Sequence, residues 1–228
     1  MKLTSYLTEM SRDRYGKGIT FVDIDETMFN TFAKVLVKKD DKVVRELDNQ
    51  EFNSYTLKDG EKWDFGQFRD ATFFRKTSIP IPQTFNRIKR MISQIKLNDS
   101  GSKIIFLTAR GAFSDLAEFK RAFKDNGVTI DGKIVDVSFM PEGEKMSVDA
   151  DKKRRILEYI KSGEYRRVRL IDDHKPNLKA LKDIENALPK KIEDRVIAKY
   201  NLDMKTEKLP PISFYALWID DKGNLHQV

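Results

Sequence analysis

Cysteine is absent from the 228 residues. That excludes a disulfide framework, a thiol nucleophile and any thiolate metal site. Histidine is scarce: His174 and His226 are the two in the chain. A histidine-rich zinc centre is therefore not expected. No apolar run approaches the roughly 20 residues that a membrane-spanning helix needs. The N-terminal stretch MKLTSYLTEMSRDRYGKG has no continuous apolar segment of the signal-peptide kind. Together these point to a cytoplasmic protein without a membrane partner. Internal repeats and low-complexity tracts are also missing.

Charge and aromatic residues are what the chain does have. Charged residues make up 35% and apolar residues 39%, yet 15 Phe, 7 Tyr and 2 Trp can fill a core. The net charge of +7, from 43 Lys+Arg against 36 Asp+Glu, favours anionic partners such as phosphates or nucleic acid. The cations are spread along the chain, so a solvated surface of mixed sign is an equally consistent reading.

Five short apolar runs read as buried strands: GITFV (18–22), KIIFL (103–107), KIVDVSFM (133–140), RVRLI (167–171) and SFYALWI (213–219). Continuous runs of this kind suit parallel strands covered on both faces. Helical spacing occupies the intervals at 83–96, 114–127, 149–163 and 175–188, two of which stop at Gly127 and Gly163. Strands alternating with helices imply βαβ units and an α/β fold with a Rossmann-like parallel sheet. The expectation is one domain, 1–228, interrupted by a small insert at 33–82.

Within the insert, AKVLVKKDDKVVREL reads as a hairpin turning at KDDK. YTLKDGEKWDF reads as a second, turning at Asp59-Gly60. DATFFRKTSIPIP closes the segment, its prolines ending regular structure. Phe52, Tyr55, Trp63, Phe65, Phe68, Phe73 and Phe74 are read most simply as the insert's own small core. After residue 189 a further helix, a strand and a hairpin through Lys222-Gly223 are expected.

In open parallel sheets, ligands sit beyond the carboxyl ends of the strands. Asp23 and Asp25 follow the first run, Thr108, Ala109 and Arg110 the second, and Asp172 and Asp173 the fourth. Clustered carboxylates are costly unless a cation holds them. Oxygen ligands without histidine suit a hard ion, most simply Mg²⁺, which binds through one or two carboxylates plus substrate phosphate oxygens. A cation at a helix start supports a phosphate site, since the helix dipole already makes that end positive. Lys153 shares a helical face with Ile156, Leu157 and Ile160, so it is favoured over Lys152, which falls with Arg155 and Tyr159.

These residues resemble the haloacid dehalogenase superfamily of phosphotransferases. FVDIDET is similar to its first motif, IIFLTAR to its second, Lys153 in DKKRRIL to its third, and RLIDDHKPN to its fourth. The resemblance spans the core from Ile19 to Leu181. It implies a HAD-like phosphatase acting through an aspartyl-phosphate. Asp23 is then the nucleophile and Asp25 the general acid/base. Asp23, the main-chain carbonyl of Asp25 and Asp172 hold Mg²⁺, with Asp173 in support. Thr108 and Lys153 hold the phosphoryl oxygens, and Ala109 and Arg110 belong to the same phosphate-binding stretch. One of Asp23 and Asp25 must be ionised to attack and the other protonated as the leaving group departs.

The short insert suits an open site and larger substrates, such as the phosphorylated end of a nucleic acid. Polynucleotide 3′-phosphatases are one such branch. A nucleotidase or sugar phosphatase is the alternative, and a non-catalytic phosphoryl-binding scaffold a third. Asn177 is read as a turn or cap residue and His174 as a bystander. Glu26 replaces a residue that is often small in the first motif.

Overall fold

The computed structural model describes residues 16–141, 146–220 and 222–228. Most of the N-terminal stretch read above lies outside them. The described residues open with β1 (Lys17–Val22). After β2 (Phe29–Asn30), the insert runs through β3 (Val35–Lys39), β4 (Lys42–Leu47), α1 (Asn49–Ser54), β5 (Glu61–Asp64), α2 (Gly66–Arg69), α3 (Ala71–Thr77) and β6 (Ile79–Pro80). The core resumes with α4 (Pro82–Leu97), β7 (Lys103–Leu107), α5 (Leu116–Asp125), β8 (Val135–Ser138), α6 (Val148–Ile160) and β9 (Tyr165–Asp172). It closes with α7 (Lys175–Asn186), α8 (Lys190–Tyr200), β10 (Ser213–Ile219) and β11 (Leu225–Gln227).

The central sheet has the order β11-β10-β9-β1-β7-β8 and is parallel except for β11. Strand side chains alternate between faces. Phe21 and Ile105 therefore join the core built with α6, α7 and α8, while Val22 and Phe106 join the one built with α4 and α5. Covering both faces is what makes the strands read as unbroken apolar runs. β1 lies between β7 and β9 in register, with Val22 opposite both Phe106 and Ile171. The chain winds from β1 to one side through β7 and β8, then returns to the other through β9. Their carboxyl ends thus meet at the switch in strand order, where such sheets bind ligands.

The insert departs from the expectation in two places. Its first hairpin is present: β3 and β4 pair around Asp40 and Asp41, whose φ angles are 50° and 59°. The second is not. β5 pairs antiparallel with β3, giving the order β4-β3-β5, and no strand precedes the Asp59-Gly60 turn. Tyr55 and Leu57 pack instead against the buried cluster of Val35, Val37 and Leu47, as do Phe52, Trp63 and Phe68. The Asp59-Gly60 turn itself forms, with the Glu61 N–H donating to the Lys58 carbonyl at 3.0 Å, but the strand it leads into pairs with β3.

The second departure is α3, which occupies part of the stretch read as closing the insert. Asp70 caps it, accepting the Phe73 N–H at 2.9 Å. Ala71 and Phe74 are buried in the main core, so the insert's last helix belongs to the body of the protein. Pro82 stands in the first turn of α4, where its missing N–H costs nothing.

Phe29 joins the insert to the body. Its ring meets those of Phe74, Phe85 and Phe123 edge-on, each at 5.1 Å between centroids. Phe29→Ala should destabilise the protein by about 3–5 kcal/mol, read from denaturant midpoints. A loss below about 1 kcal/mol would mean this junction tolerates the cavity.

Candidate functional site

β1 ends in a buried carboxylate. The Asp23 N–H donates to the Ile171 carbonyl at 2.9 Å, extending the β1–β9 ladder by one step. Ile24 then begins a tight turn, its carbonyl accepting the N–H groups of Met28 and Phe29. Glu26 sits in that turn with φ of 54°. The turn carries Asp25 back over the strand end. β9 ends at Asp172, which is fully buried, with Asp173 half-buried beside it.

One ammonium joins these strands. Lys152, in the second turn of α6, is 2% exposed. Its Nζ donates to Asp23 Oδ1 at 2.6 Å and to Asp172 Oδ2 at 2.7 Å. Asp172 is further held by the Asn177 side-chain amide, at 2.9 and 3.1 Å, and by the His174 N–H at 2.9 Å. Thr27 Oγ1 donates to Asp173 Oδ1 at 3.3 Å.

The inward lysine is therefore Lys152, not Lys153, which is half-buried and outside this cluster. Apolar spacing alone misplaced the inner face of α6. That face also carries Arg155, whose guanidinium donates to the Thr108 carbonyl at 2.8 Å and the Ser138 carbonyl at 2.7 Å. Arg155 also pairs with buried Asp151 at 2.5 Å. Satisfied charges can be buried as apolar groups are, so Asp151, Lys152, Arg155 and Ile156 turn inward together.

The residues after β7 have separate fates. Thr108 is fully buried, and its Oγ1 accepts the Arg110 N–H at 3.0 Å. Ala109 is exposed. Arg110 is buried and its guanidinium grips Asp25: Nε lies 2.9 and 3.1 Å from the two carboxylate oxygens, and Nη2 lies 2.5 Å from Oδ1. Thr31 Oγ1 donates to the same carboxylate at 2.6 Å. Thr31 carries no pattern in the sequence that would single it out, and Asn177, read as a turn or cap residue, is buried in the first turn of α7 with its side-chain amide on Asp172. Each is found by the carboxylate it satisfies.

The electrostatics follow from one ammonium among three carboxylates. Burial pushes the Asp23 carboxyl well above its usual range; Lys152 opposes this, while Asp172 and Asp173 add to it. Burial also lifts the Asp173 carboxyl to about 6, with Asp172 contributing. For Lys152, burial alone would pull the ammonium down, but Asp23 and Asp172 outweigh it and hold the group charged. Asp25 differs. Burial would raise it, yet the charge and hydrogen bonds of Arg110, with Thr31, leave it below the usual carboxylate range. The two carboxyls are therefore shifted in opposite directions, Asp23 up by burial and Asp25 down by Arg110 and Thr31.

Asp23, Asp172 and Asp173 each offer a carboxylate oxygen, all within 4.8 Å of one another. The trio could hold a metal ion, and an all-oxygen donor set suits a hard cation. Among the described residues no helix is long and apolar enough to cross a membrane. No protein-family model matches the chain, and no curated protein does. The resemblance to the haloacid dehalogenase superfamily rests on the motifs themselves.

Lys152→Met should leave Asp23 and Asp172 without their counter-ion and cost about 3–5 kcal/mol in the metal-free protein. Lys153→Met should cost less than about 0.5 kcal/mol. Equal losses in urea unfolding would contradict the assignment of Lys152.

Proposed function

We propose that this protein is a Mg²⁺-dependent phosphatase of the haloacid dehalogenase type, hydrolysing a phosphomonoester through an aspartyl-phosphate on Asp23. The observation that carries the reading is the Lys152 ammonium spanning Asp23 and Asp172, brought together from β1, α6 and β9. A purely structural pair would not require Asp173 and Asp25 to crowd the same strand ends.

Asp23, Asp172 and Asp173 would hold the ion, whose bound charge lowers carboxyl pKa values and offsets the negative charge of a phosphoryl group. The chain's own residues supply the rest. A carboxylate oxygen of Asp23 attacks phosphorus while the bond to the ester oxygen breaks. The departing oxygen takes a proton from Asp25 in its protonated form, the form that Arg110 and Thr31 disfavour, and Asp25 is left as a carboxylate. Water then attacks phosphorus in the aspartyl-phosphate and gives a proton to Asp25. Inorganic phosphate leaves and Asp23 is regenerated. Lys152, held charged at the centre, offers its remaining N–H to the transferring group and compensates the carboxylates between turnovers.

The net charge of +7 supports a polyanionic substrate, and a phosphorylated nucleic-acid end is the one we favour. Turnover of a 3′-phosphorylated oligonucleotide should exceed that of the mononucleotide and fall as salt rises. Equal, salt-insensitive rates on both would point to a small-molecule phosphatase instead.

Hydrolysis of an aryl phosphate with and without Mg²⁺ tests the reaction itself. Asp23→Asn should reduce it to background. Asp25→Asn should lower turnover by about 10²–10⁴-fold. Wild-type rates from Asp23→Asn would remove the mechanism, and no Mg²⁺-dependent turnover on any phosphate ester would leave a phosphoryl-binding scaffold.

A further inference from the structure

We propose that Arg110 is a positioning residue for Asp25, and that it does not bind the substrate phosphate as its place after β7 suggests. The proposal rests on the phosphatase reading and assigns a different role within it.

All three guanidinium nitrogens are engaged inside the protein. Nε and Nη2 take both oxygens of Asp25, and Nη1 donates to the Phe68 carbonyl at 3.1 Å. The rings of Phe68, Phe74 and Phe113 pack around the cation at 4.8, 5.2 and 5.8 Å from their centroids. The side chain is 2% exposed. Its backbone is pinned on both sides: Arg110 N–H donates to Thr108 Oγ1, and Met140 N–H donates to the Arg110 carbonyl at 2.9 Å. A planar fork walled by three rings cannot swing toward a phosphate without abandoning Asp25 and Phe68 together.

The same geometry is well made for orientation. Two-point contact fixes both the place and the plane of a carboxylate, which a lysine ammonium cannot do. Thr31 holds the Oδ1 edge from another segment, so Asp25 is gripped by groups that follow β2 and β7. Phe68 lies in α2, so the insert contributes directly to the grip on Asp25. An acid/base group misplaced by even an ångström loses about 10²-fold in rate.

The test separates proton transfer from phosphate binding. p-Nitrophenolate leaves without a proton, whereas an alkoxide does not. First-turnover rates are measured with Mg²⁺ on p-nitrophenyl phosphate and on an alkyl phosphate. Arg110→Gln should lower the alkyl rate by about 10²-fold or more and the aryl rate by less than about tenfold. In an Asp25→Asn background the same substitution should cost no more than about twofold, because its effect runs through Asp25. Arg110→Lys keeps the buried charge without the two-point contact, and carries the same comparison if Arg110→Gln does not unfold cooperatively.

A second readout needs no turnover. Unfolding midpoints of the metal-free single and double variants should be non-additive for Arg110 and Asp25. Equal losses on the two esters, an undiminished loss in the Asp25→Asn background, or additive midpoints would overturn the proposal and leave the phosphatase reading standing. A wild-type protein inactive on both esters would remove that reading and the proposal with it.

Discussion

A buried ammonium between two buried carboxylates is the constraint around which this protein is arranged. Each ion taken out of water costs several kcal/mol, and mutual attraction repays that only when geometry and hydrogen bonds are both supplied. Here they are. Lys152 reaches Asp23 and Asp172 at 2.6 and 2.7 Å, and Asn177 and the His174 N–H satisfy Asp172 from the start of α7. The double contact demands that β1 and β9 be adjacent, parallel and level at their ends, and that α6 point its first turns at them. The topology meets that demand, since β1 lies between β9 and β7.

Two arginines secure the ground around that ion pair. Arg155, one helical turn beyond Lys152, draws together the carbonyls of Thr108 and Ser138 at the ends of β7 and β8. Arg110 does the equivalent work above the sheet, joining Asp25 to the Phe68 carbonyl of the insert. The basic residues nearest the strand ends are thus committed to protein groups. Asp173, half-buried and lifted in pKa, retains the least compensated carboxylate of the three that could hold a cation.

Much of this was legible before any coordinates. KIIFL and SFYALWI coincide with β7 and β10 to the residue, because strands buried on both faces leave an unbroken apolar run. The acidic pairs at the ends of β1 and β9 were legible for the same reason, since an apolar run shows where it stops. The insert was harder. The Asp59-Gly60 turn forms as read, yet the β5 that follows it pairs with β3 rather than with the stretch before the turn, where Tyr55 and Leu57 pack on the Val35 and Val37 cluster. The helix α3 was hidden by the prolines that follow it, although its Asp70 cap and the buried pair Ala71 and Phe74 are helical signs.

The sequence by itself determined the alternation of buried strands and amphipathic helices, and so which residues stand at the strand ends. Those follow from periodicity and from where polarity begins, which are local properties of the chain. Only the tertiary structure decided that Lys152 rather than Lys153 faces the carboxylates, that Arg110 grips Asp25, and that Asn177 and Thr31 serve the site. Lys152 and Arg110 pair with carboxylates 129 and 85 residues away, while Asn177 and Thr31 satisfy carboxylates five and six residues away whose burial the fold alone decides. A charged side chain reads as surface until the group that neutralises it is known.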